Sequence, residues 1–72
     1  MFENVIALAK AAHWASAQNE AANLFVARPG CWYAMHISLA ARLQDIHRMQ
    51  TLARAFGDRE AIATEIRTIR GR

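Results

Sequence analysis

The sequence predicts an all-α protein: an antiparallel helical hairpin of two long helices plus a short C-terminal third helix, forming a homo-oligomeric helical bundle. Three observations carry this expectation. Sixteen of the 72 residues are alanine, and leucine, glutamine and arginine reinforce a composition that favours helix. Apolar residues recur at spacings of three and four, and no segment alternates at every second position as a half-buried strand would. Strong punctuation is confined to Pro29-Gly30, with a weaker mark at Gly57-Asp58.

The first helix is expected over about 3–27. Proline disfavours helical geometry at Arg28, and Gly30 tolerates the turn that follows, so this helix should stop near Ala27. Glu3, Lys10, Glu20 and Arg28 cluster on one side of a helical wheel, with Val5, Leu8, Ala12, Ala15, Ala22 and Val26 roughly opposite as the core-facing side. The second helix is expected over about 31–56, with a buried stripe running through Trp32, Met35, Leu39, Leu43, Ile46, Met49, Ala53 and Phe56. An alanine face receives a bulky stripe well, so the two long helices should pack on each other, pairing Phe2 with Phe56, Val5 with Ala53 and Ala15 with Leu43. Gly57 is suited to ending a helix and Asp58 to capping the next, which places a third helix over about 59–70 with a narrow stripe of Ile62, Ile66 and Ile69.

One domain spanning 1–72 is all that this length supports, and domains of this size sit near the edge of independent stability. Beyond the 16 alanines only 23 apolar side chains remain to build a core. From Cys31 to Ala41 the second helix is apolar on nearly its whole circumference, because Tyr33, Ile37, Ala40 and Ala41 lie opposite the main stripe. One neighbouring helix cannot cover both sides, so another molecule is expected to finish the burial, most simply a second copy in a homodimer. The expected interface residues are Trp14, Trp32, Tyr33, Ile37 and Ala41. Asn19 and Gln50 fall among core-facing positions, where an amide can fix helix register or line a solvated edge.

Several classes of chemistry find no footing. The longest stretch free of Asp, Glu, Lys and Arg is the 13 residues from Pro29 to Ala41, whereas a membrane-spanning helix needs about 20 apolar residues. The segment from Met1 to Ala17 imitates a signal peptide, but Glu3 is its only early charge and Lys10 interrupts the apolar run, so it is read as mature structure. A lone cysteine fits a reducing compartment, and a cytoplasmic location is expected. His13 falls in the same expected layer as Asp45 and His47, a donor set suited to Zn²⁺, yet His13 lies beside the charged side of its helix and the three need not converge. No metal and no cofactor is expected. Cys31 and His36 are poorly placed as a nucleophilic pair, and the carboxylates are scattered, so catalysis is not expected.

The net charge is +3, and all of the surplus lies beyond residue 41. Arg59, Arg67, Arg70 and Arg72 decorate the last helix and its tail, which makes phosphate contact with nucleic acid the alternative function. Aromatic residues for stacking bases are missing from that segment. The leading expectation is a non-enzymatic protein-protein interaction module, an adaptor, regulator or inhibitor, that self-associates and docks on a larger protein.

Overall fold

The computed structural model describes residues 1–71; Arg72, one of the four arginines of the alternative function, lies outside the described residues. The chain is all-helical, with four α-helices and no strand among the described residues: α1 (Glu3–Lys10), α2 (Trp14–Ala27), α3 (Trp32–Arg42) and α4 (Ile46–Arg70). No helix is long and apolar enough to cross a membrane.

The Pro29-Gly30 turn lies where the sequence places it, and α2 stops at Ala27. The two long helices, however, are each broken once, and the expected break at Gly57-Asp58 is absent because α4 runs straight through it. Both real breaks are built alike. Ala12 takes up φ 61° and Gln44 φ 56°, the left-handed conformation that usually calls for glycine. Around Ala12, its own N–H donates to the Ala9 carbonyl at 3.0 Å and the His13 N–H donates to the Leu8 carbonyl at 2.9 Å. Around Gln44, its N–H donates to the Ala41 carbonyl at 3.0 Å and the Asp45 N–H to the Ala40 carbonyl at 2.9 Å. Each pair of bonds satisfies two carbonyls at the end of the preceding helix, the Schellman pattern of helix termination. Asp45 then caps α4, its carboxylate accepting from the Arg48 N–H at 3.0 Å.

The consequence is a four-helix arrangement in which α2 packs on α1 and α3, and α4 packs on α3 and α1. The α2–α3 pair is fixed by the Ser38 hydroxyl donating to the Gln18 carbonyl at 3.1 Å and by Phe25 against Trp32, ring centres 6.1 Å apart. Both breaks sit at the end remote from Pro29, so α1 and α4 fold back toward the turn and meet there: Phe2 packs edge-on against Phe56 at 5.1 Å. That pairing was expected, although at the open end of a long hairpin. It survives because both arms fold at a similar distance from the turn.

The breaks also reset the helical phase, which corrects the expected core. On α1 and α4 the expected faces are right, since Val5 and Met49 are fully buried. On α2 and α3 they are wrong. Val26, Leu39 and Leu43 are exposed, and the chain buries Ala17 and Ala21 of α2 against Ala34, Ile37, Ala40 and Ala41 of α3. Six of the eleven buried apolar residues are alanine. Helices faced with alanine approach closely, and Ile37, Met49 and Val5 fill the space that remains; each contributes about 1.5–3 kcal/mol relative to exposure. Asn19 is exposed and Gln50 is half-buried at an edge, so neither amide is enclosed in the core.

Candidate interaction surface

The expected interface divides once the fold is known. Ile37 and Ala41 are completely buried within the single chain and cannot touch a partner. The apolar girth of α3 does need more than one neighbour, but its own chain supplies them: α2 covers one side and α4, folded back at Gln44, covers the other. Trp14 and Tyr33 are half-buried against the core. Of the expected interface residues only Trp32 stays open, at 61% exposure.

Trp32 stands at the Pro29 end of the bundle, where aromatic and charged groups converge. Tyr33 packs edge-on against Phe56 with ring centres 5.6 Å apart, and the Arg28 guanidinium lies 5.8 Å from the centre of the Phe56 ring. The same guanidinium donates to the Glu60 carboxylate at 3.1 Å. These contacts tie α4 to the turn and form its last attachment. Beyond Glu60, from Ala61 to Arg70, every residue is exposed, and α4 projects past the bundle as an overhang of about 15 Å.

The overhang carries Ile62, Ile66 and Ile69 at 57%, 45% and 63% exposure. The separate third helix expected over about 59–70 is not formed, because α4 has no break at Gly57 that would let these residues fold back. Between the overhang and the turn lies an open groove of about 770 Å³, lined by Pro29, Trp32, Tyr33, Arg59, Ile62 and Ile66 among others. A second depression of about 680 Å³, where α1 meets α4, is lined by Phe2, Arg28, Arg54 and Gly57 among others. Cys31, beside the turn, is a free and buried thiol.

The arginines of the alternative function sit in a stretch whose acids offset their charge. From Asp58 to Arg70 the helix holds Arg59, Arg67 and Arg70 against Asp58, Glu60 and Glu65, so its formal charge is zero. The histidines are also dispersed: His13, His36 and His47 are all exposed, and among the described residues no three His, Cys, Asp or Glu side chains assemble as a metal site. The donor set of His13, Asp45 and His47 is therefore not brought together.

No protein-family model, curated protein or solved structure matches this chain. The overhang and its groove are the features on which a functional reading rests. Sequence reasoning underrated the three isoleucines because they lie among charged residues, whereas the 4-3 spacing that links them is the signal that marks an apolar seam.

Proposed function

We propose that the chain is a non-enzymatic helical interaction module, which self-associates through the α4 overhang and presents Trp32 as an anchor for a larger protein partner. One observation carries the reading. Of the eight exposed large apolar residues among the described residues, Trp32, Ile62 and Ile66 line one groove and Ile69 continues the same stripe, whereas Met1, Val26, Leu39 and Leu43 do not line it. Grouped apolar exposure of this kind marks association surfaces, and tryptophan is enriched where binding energy concentrates. The alternative, phosphate contact through Arg59, Arg67, Arg70 and Arg72, has weaker support because Asp58, Glu60 and Glu65 bring the formal charge from Asp58 to Arg70 to zero.

The test is the double substitution Ile62→Asp with Ile66→Asp. Both positions are solvent-facing in the monomer, so helicity and thermal midpoint should hold while the molar mass measured by light scattering falls to that of one chain at all concentrations. A variant that assembles as the parent does removes the overhang as the association surface. Fluorescence anisotropy with duplex and single-stranded oligonucleotides reports on the alternative, which requires binding that weakens steeply with salt.

A further inference from the structure

Ile62, Ile66 and Ile69 are spaced four and three residues apart, the pattern of a seam between paired helices. Carried back along α4, the same register passes through Arg59 and the half-buried Ala55. The charges beside the seam are sorted. Asp58 and Glu65 lie along one flank, and Arg70 lies on the other. The side of α4 that faces the bundle, marked by Met49, Phe56 and Glu60, is roughly 120° around the helix from the seam.

Resting on the proposed self-association, we infer that the occupant of the overhang is a second copy, paired in parallel and in register, with Glu65 of each chain opposite Arg70 of the other. Charge complementarity selects this orientation. In a parallel pair the position before one seam residue faces the position five residues further along the partner, which sets Glu65 against Arg70 twice over. An antiparallel pair opposes each flank to itself, acid to acid and arginine to arginine. Sterics agree. With each bundle turned roughly 120° from the seam, a twofold axis along the helices puts the two bundles on opposite outer sides, where they do not collide.

Arg59 selects the number of chains. It occupies a seam position, where a charge is tolerated in a two-stranded pair whose edges stay wet, and where its long side chain reaches outward toward Asp58 of the other copy. Three or more strands would enclose it. The seam spans only about two heptads, so the dimer is weak, with a dissociation constant on the order of 10 μM or higher.

Two measurements on the full chain test this. Glu65→Arg and Arg70→Glu should each weaken dimerisation about tenfold by sedimentation equilibrium, since attraction becomes repulsion at two symmetric sites. The double variant should return to the parent constant. In a Cys31→Ala background, Ile69→Cys in a glutathione buffer should give a disulfide-linked dimer, because only parallel, in-register chains bring position 69 of both together. A parent chain that is monomeric at millimolar concentration overturns both the self-association and this inference. A parent that dimerises, yet shows neither the charge-swap pattern nor the cross-link, overturns the parallel seam and leaves self-association standing.

Discussion

From Ile46 to Phe56, α4 turns a residue toward the core at nearly every turn, with Met49 wholly enclosed and Phe56 held between Phe2, Tyr33 and Arg28. From Ala61 to Arg70 the same helix touches nothing that buries it. The backbone does not change between these two halves; the relation to the rest of the chain does. Tertiary packing supports the first half, while the second depends on intrinsic propensity, on bonds within the helix such as the Thr68 hydroxyl to the Thr64 carbonyl at 3.0 Å, and on Arg67 and Arg70 at the negative end of its dipole.

The strongest way to break this contrast is on the packed side. Ile37→Asp places a carboxylate at a site with no solvent and no polar partner, and the cost of about 4 kcal/mol or more is comparable to the whole stability of a domain this small. Far-UV circular dichroism should show loss of the cooperative thermal transition. A folded Ile37→Asp chain would mean that α4 does not close over α3.

A matched pair of truncations sharpens the comparison within α4 itself. Met49→Ala should cost about 2–5 kcal/mol in urea unfolding, the range for emptying a filled core site. Ile66→Ala, seventeen residues along the same helix, should change monomer stability by less than about 0.5 kcal/mol. Equal effects at the two positions would show that the overhang packs on its own bundle.

The smallest effects concern how α1 and α4 are made to fold back. Ala12→Gly should stabilise by about 0.5–1 kcal/mol, because glycine enters the left-handed region without the penalty alanine meets there. Asp45→Ala should destabilise by about 1 kcal/mol through loss of the α4 cap. Both shifts are readable as changes in the urea midpoint, and a destabilising Ala12→Gly would contradict the Schellman geometry.

These breaks mark the limit of what the sequence makes legible. Helix class, the Pro29 turn and the inward faces of α1 and α4 follow from composition and spacing. The fold-back at Ala12 does not, because lysine, alanine and alanine before His13 are local helix formers, and the chain departs from helix there to enclose Phe2, Val5 and Ala9. At the second break the capping residue is Asp45 rather than the expected Asp58, which follows a glycine. Once both breaks were missed, the phases projected across them pointed the wrong way, and Leu39 and Leu43 were assigned to the core while Ile37 and Ala41 were assigned to an interface. Trp32, which was assigned both to the buried stripe and to the interface, is 61% exposed.

Gly57 stands where the supported half of α4 gives way to the free half, and a methyl group there would meet no atom within 4 Å, so crowding does not account for the glycine. It is the weakest helix former short of proline, and it stands about one turn before the Arg28–Glu60 contact where lateral support ends. The ten residues from Ala61 to Arg70 are too few to hold as a helix on their own in water, and their continuity with the packed half of α4 carries them. Under the proposed pairing, a second chain that grips the isoleucines adds lateral support to an arm that is already helical in the free chain.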